Sequence, residues 1–289
     1  MVSMVPTQIG EAVCRSIVTS ADGVQLAVVS AGEPAAPAIL FLHGFAQSSL
    51  SFVRQFNSDL SQRYHLVAFD HRGQGASEKP AAPAAYLGSQ PWADDVASVI
   101  AAMGLRRPVL VGWSFGGYVA MDYVRHHGCG AITGINMVGS TGGLVASHIM
   151  ELLASIGSGG EDPSISADIA DNIRAAEATA ASYATGQTAQ ERQLLFATEL
   201  MMPAYVRRIM AAKDLRHYDL VDGLTLPLLF TTGTVDPLVT TEDMTRIGAA
   251  LPHARLSSYE GAAHFPFVDD TARFNRELDA FVQQAGITV

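Results

Sequence analysis

Short, mainly apolar runs recur along the first half of the chain, with segments patterned as helices between them. The runs are "AILFL" (Ala38–Leu42), "HLVAFD" (His65–Asp70), "PVLVGW" (Pro108–Trp113) and "ITGINMV" (Ile132–Val138). A strand with no polar alternation is a strand covered on both faces, and that requires a parallel sheet between two helical layers. The helical segments are Ser49–Arg63, Trp92–Met103 and Phe115–His127. Two more β-type stretches precede them, Val13–Thr19 and Val24–Ser30, with Asp22-Gly23 between them as a hairpin turn signal. The alternation predicts an α/β fold.

The pattern stops after the sixth strand. From 141 to 222 no strand-like run occurs, and "LVASHIMELLAS", "ADIADNIRAAEATAASYA", "TAQERQLLFATELM" and "PAYVRRIMAAKDL" read as helices, split by the loop "GSGGEDPSIS". Strand character returns at "LPLLFTTG" (Leu226–Gly233) and "ARLSSYE" (Ala254–Glu260), ahead of a last helix, "DTARFNRELDAFVQQ". The expected organisation is therefore a core over 1–140, a helical cap over 141–222 and the rest of the core over 223–289.

Composition excludes several classes of partner. Hydrophobic residues are 48% and charged residues 16% of the 289, enough for a large core and against disorder. The formal net charge is −10, and the 18 Lys and Arg are scattered, with only Arg106–Arg107 and Arg207–Arg208 adjacent. Displacing counterions from nucleic acid needs clustered cations, so nucleic acid is not an expected partner. The first residues lack a basic start followed by an apolar stretch, and no apolar run reaches spanning length. Cys14 and Cys129 cannot frame a disulfide scaffold in a chain this long. A cytoplasmic protein without a membrane partner is expected; the oligomeric state is left open.

"LVGWSFGGYV" places Ser114 between a strand and a helix, with Gly112, Gly116 and Gly117 around it. This matches G-x-S-x-G in the context the motif needs: a sharp strand-to-helix turn that lifts a serine hydroxyl to a helix N-terminus. A serine needs a base, and the base an orienting acid. Asp236 in "GTVDPLV" and His264 in "GAAHFPFVDD" each follow a predicted strand, at the sheet edge where ligands bind in open α/β folds. Backbone N–H groups of Phe45, in "FLHGFAQSS", and of Phe115 are the expected donors to an oxyanion. The side chains of His43, Phe45, Trp113 and Phe115 are expected to shape a pocket.

Together, "HGF" (His43–Phe45), "DHRGQGASEKP" (Asp70–Pro80), "GWSFGG" (Gly112–Gly117), "TGTVDPLV" (Thr232–Val239) and "GAAHFPF" (Gly261–Phe267) resemble the α/β-hydrolase fold superfamily, in the same order. The resemblance runs from end to end. It implies an eight-stranded, mostly parallel sheet with an antiparallel second strand, a helical cap, and a hydrolytic Ser–Asp–His triad working without cofactor or metal. The nearest flavour is similar to small esterases, lactonases and the cofactor-free haloperoxidase or perhydrolase group. Three activities are open: hydrolysis of a carboxylic ester or lactone, including an N-acyl-homoserine lactone; perhydrolysis or haloperoxidation; and non-catalytic binding of a small ligand. Serine in place of aspartate disfavours dehalogenase and epoxide hydrolase chemistry.

Other polar residues have plainer readings. His126, His127 and Cys129 sit where a helix ends before Gly128, and adjacent helical residues cannot share one metal. Asp70 and Arg72 read as a structural loop pair or as partners of backbone. Asp94, Asp95 and Asp122 are expected to face solvent or pair locally, and His148, His217 and His253 to be exposed.

Overall fold

The computed structural model describes residues 13–149 and 163–287. Eight strands form one sheet in the order β1-β2-β4-β3-β5-β6-β7-β8. They are β1 (Cys14–Thr19), β2 (Gln25–Ala31), β3 (Ala38–Leu42), β4 (His65–Phe69), β5 (Val109–Trp113), β6 (Gly134–Val138), β7 (Leu228–Gly233) and β8 (Arg255–Tyr259). β2 runs antiparallel to both neighbours, and every pairing from β4 onward across the sheet is parallel.

The apolar runs do what their composition demands. Along β3, Leu40 and Leu42 join one hydrophobic cluster while Ile39 and Phe41 join the other, so alternate side chains feed the two faces. The first face is covered by helices α1 (Gln90–Ala102) and α2 (Phe115–His127), through Trp92, Val96, Val119 and Met121. The second is covered by α7 (Thr271–Ile287), through Phe274, Leu278 and Phe281, and by Phe52 and Phe56.

The segment expected as one helix over Ser49–Arg63 is three single turns, Ser49–Phe52, Val53–Phe56 and Leu60–Arg63. Asn57 interrupts it, turning its side chain onto the Val53 carbonyl, and Ser58 bonds the Gln55 carbonyl. Side chains that bond nearby backbone in this way compete with helix propagation. Between β6 and β7 the described residues form α3 (Ile169–Ser182), α4 (Ala189–Leu200) and α5 (Ala204–Met210) and no strand. α4 opens on a capping box in which Thr188 and Glu191 satisfy each other's N–H groups. The second half of "LVASHIMELLAS", the first six residues of "GSGGEDPSIS", residues 1–12 and residues 288–289 lie outside the described residues. The longest helix that was not expected is α6 (Thr241–Ala250), which starts on a second capping box, Thr240 with Asp243; the single turns Ala84–Leu87 and Pro266–Asp269 were not expected either.

Candidate active site

Ser114 ends β5 and precedes α2 with φ +52° and ψ −118°. A non-glycine residue in this region is strained, and such strain persists only where its surroundings over-determine it. Here they do: the Ser114 N–H donates to the Val138 carbonyl at 2.8 Å, and the Gly117 N–H donates back to the Ser114 carbonyl at 3.0 Å. The glycines are spatial requirements. A Cβ on Gly116 would strike the Leu42 carbonyl of β3, and one on Gly117 the Ser140 side chain. Ser114 occupies the N-cap position, yet its side chain makes no capping bond. A serine there ordinarily spends its hydroxyl on the helix; this one keeps it.

His264 and Asp236 meet across the loops that follow β8 and β7. His264 Nδ1 donates to the Asp236 carboxylate at 2.9 and 3.0 Å, with both side chains essentially sealed from solvent. Asp236 is itself fixed by the N–H groups of Leu238 and Val239, at 2.8 and 3.1 Å from Oδ1. The proton on Nδ1 leaves Nε2 as the basic nitrogen, and that atom is buried with no hydrogen-bond partner among the described residues. Trp113 holds the loop by donating from Nε1 to the His264 carbonyl at 2.9 Å.

Gly44, Phe45, Trp113, Ser114 and Phe115 line a cavity of about 270 Å³. From the segment between β6 and β7, Ile165, Thr179, Tyr183, Arg207 and Met210 close over it. Trp113 and Tyr183, both in its wall, flank the His264 ring with centroids at 5.8 and 5.1 Å. The Phe45 and Phe115 rings meet edge to face at 6.2 Å. The Phe45 N–H donates to no protein group among the described residues. The Phe115 N–H, first in α2, lies outside the helix's own bonding.

His43, expected in the pocket wall, lies elsewhere. It is fully buried beneath the turn, with its ring 4.2 Å from that of His71. The His71 N–H donates to His43 Nε2 at 2.9 Å, so His43 carries its proton on Nδ1 and donates to the Gly44 carbonyl at 2.8 Å. His71 Nε2 donates in turn to the His43 carbonyl at 3.1 Å. Burial pushes both rings below their ordinary value of 6.5, and the neighbouring His43 adds to the effect on His71. The pair braces the Gly44–Phe45 backbone.

Several plain readings change. Asp95 is completely buried and pairs with Arg72 at 2.6 Å, while Arg72 also holds Asp22 at 2.7 Å. Asp122 is completely buried as well, shared between Lys213 and His217 at 2.9 Å each. His217, expected to be exposed, is therefore buried. All these partners are distant in sequence, so no local window reveals them. Asp70 bonds the N–H groups of Ser49 and Ala76, both at 2.7 Å, and His148 and His253 are exposed. His126 bonds Ser89, and His127 bonds Asp94 while stacking on Tyr123. Sequence reasoning missed Tyr183, whose one signal is an aromatic residue closing an alanine-rich helix. It also missed Arg207 and Glu199, charged residues in the cavity wall.

The alpha/beta hydrolase family pattern matches residues 39–277. The chain belongs to the alpha/beta hydrolase family. Among solved structures, this family member is similar to the esterase RhEst1 from Rhodococcus sp. ECU1013, 31% identical, with a TM-score of 0.82 over 93% of this chain and 98% of that one. Epoxide hydrolase A of Mycobacterium tuberculosis is 38% identical over 101 residues, which cover 35% of this chain and 31% of the relative. A bromoperoxidase from Bacillus anthracis shares the fold alone, at 15% identity and a TM-score of 0.78 over 93% of this chain and all of that one (100%). Among the described residues, no helix is long and apolar enough to cross a membrane.

Proposed function

We propose that this hydrolase cleaves a small carboxylic ester or lactone through an acyl-enzyme. Ser114 Oγ attacks the carbonyl carbon, and His264 Nε2 takes the hydroxyl proton and passes it to the departing alkoxide. Asp236 keeps the imidazole in the Nδ1-protonated form and stabilises the cation that appears in the transition state. The N–H groups of Phe45 and Phe115 receive the oxyanion; one such donor is worth roughly 10²- to 10³-fold in rate. Water deprotonated by the same Nε2 then releases the acid, and for a lactone the alcohol stays attached to the product. Residues 141–222 serve as the cap, and the substrate binds between it and the carboxyl ends of the strands.

The observation that carries this reading is the pairing of a spared hydroxyl with a spared nitrogen. Ser114 holds a strained N-cap without using its side chain, and His264 is engaged at Nδ1 with Nε2 left unpaired. An esterase of similar sequence over nearly the whole chain supports the ester class.

The test joins labelling to turnover. A fluorophosphonate probe is expected to label the wild type and not Ser114→Ala. On a panel of p-nitrophenyl esters and γ-lactones, Ser114→Ala and His264→Ala are each expected to lose about 10⁴-fold or more in kcat. No labelling of the wild type overturns the reading. Monochlorodimedone bromination with acetate and peroxide is expected to stay flat; brisk bromination without ester turnover replaces hydrolysis by perhydrolysis.

A further inference from the structure

The wall of the cavity above Ser114 is mainly apolar, through residues such as Ile149, Ile165, Met210 and Leu238. Set into it, among the described residues, is one pair of full charges. Arg207 on α5 and Glu199 on α4 both line the cavity, with side chains only 4% and 6% exposed, and Arg207 Nη1 meets Glu199 Oε2 at 3.2 Å. Two further bonds tie the guanidinium to the end of α4: Nε donates to the Met202 carbonyl at 3.2 Å, and Nη2 to the Glu199 carbonyl.

Capping the end of α4 explains those bonds but not the whole side chain. A guanidinium has five N–H hydrogens, and three are accounted for here. Two have no acceptor among the described residues, on a nearly dry group where a donor without an acceptor is costly. Because Arg207 lines the cavity, a molecule that enters it can supply that acceptor. Its charge is also constrained: Glu199 already neutralises Arg207, and its carboxylate stands beside the same wall, so an incoming anion meets repulsion as well as attraction. A ketone or amide oxygen takes the two hydrogens without that penalty.

We infer that Arg207 is a substrate-recognition residue, and that the preferred ester or lactone carries a neutral hydrogen-bond acceptor, a carbonyl or amide oxygen, on the chain away from the scissile bond. This rests on the ester-hydrolase reading for its substrate class. The Arg207–Glu199 pair then sets which chain is accepted, while the rest of the cavity selects for apolar bulk.

The experiment compares ethyl hexanoate, ethyl ketohexanoates with the ketone at each interior carbon beyond the third, and the ethyl half-ester of adipic acid. Turnover is followed by pH-stat, and affinity for Ser114→Ala by calorimetry. At least one keto ester is expected to exceed hexanoate roughly tenfold in kcat/KM, with a matching gain in affinity, and the adipate half-ester to show no gain. In Arg207→Met/Glu199→Gln, which leaves no unpaired charge, the keto-to-alkyl ratio is expected to fall to about one. Arg207→Lys, which keeps a cation beside Glu199 but loses the planar fork, should lower it too. A wild-type ratio of one for every ketone overturns the inference without any variant having to fold. A preference for the half-ester, or a ratio unchanged in the double variant, overturns it as well. Should labelling at Ser114 fail while the affinity preference persists, the ester reading falls and the Arg207 assignment stands.

Discussion

Gly116 and Gly117 are neighbours with different reasons to be small. A methyl group on Gly116 meets the Leu42 carbonyl, backbone in a central strand that cannot retreat, whereas on Gly117 it meets the side chain of Ser140. Gly116→Ala is therefore expected to be the more destabilising, by about 3 kcal/mol or more, and to have no single-site rescue. Gly117→Ala should recover much of its loss when combined with Ser140→Gly, a coupling that a urea-denaturation cycle measures directly. His43 and His71 allow a second expectation. Both rings lie below their ordinary 6.5 because they are buried. As pH falls through the ordinary value of 6.5 the unfolded chain takes up protons there before the folded one does. Unfolding free energy should drop by up to about 1.4 kcal/mol per pH unit for each ring below its unfolded pKa, and His71→Asn should flatten the slope.

At the scale of elements, Arg54 is the pin between the core and the segment over the site. Its guanidinium holds Glu191 of α4 at 2.7 and 2.8 Å, the Val268 carbonyl at 2.6 Å and the Gly186 carbonyl at 3.1 Å. Arg54→Met leaves the Glu191 carboxylate, 8% exposed, without its cation, and should cost about 3 kcal/mol; the Arg54→Met/Glu191→Met double variant should cost less than the single one. Equilibrium denaturation of the three proteins checks the order. Neither partner announces itself in the sequence, since 137 positions separate them. What was legible there was periodic or local: β3 to β6 from their apolar runs, α2 from its glycines and its closing Gly128, and α4 from "TAQE". α6 was hidden because "TTEDMTRIGAA" carries few apolar residues, although its capping box is written in Thr240 and Asp243.

At the scale of the whole molecule, the sheet order brings residues from far-apart strands to one edge. Phe45, Ser114, Asp236 and His264 each follow a different strand, and chain order with strand-end position was enough to nominate them. The ion pairs that hold the segment between β6 and β7 against the core follow no such rule. Asp269 joins the same two parts by hydrogen bonds to backbone. One of its oxygens accepts the N–H groups of Thr185 and Gly186 at 2.7 and 2.6 Å, and the other accepts the Ala263 N–H at 2.8 Å. Thr185 lies two residues past Tyr183 in the cavity wall, and Ala263 immediately precedes His264. A single carboxylate thus works as an interlock: the chain beside Tyr183 cannot move away at this corner without slackening the strap that carries His264. On the proposed reading, with His264 as the base and this segment as the cap, opening for product release and disarming of the site become one event, with one clock. Hydrogen exchange should show it, with the amides of Thr185, Gly186 and Ala263 opening at a common rate in the wild type and at separate rates in Asp269→Ala.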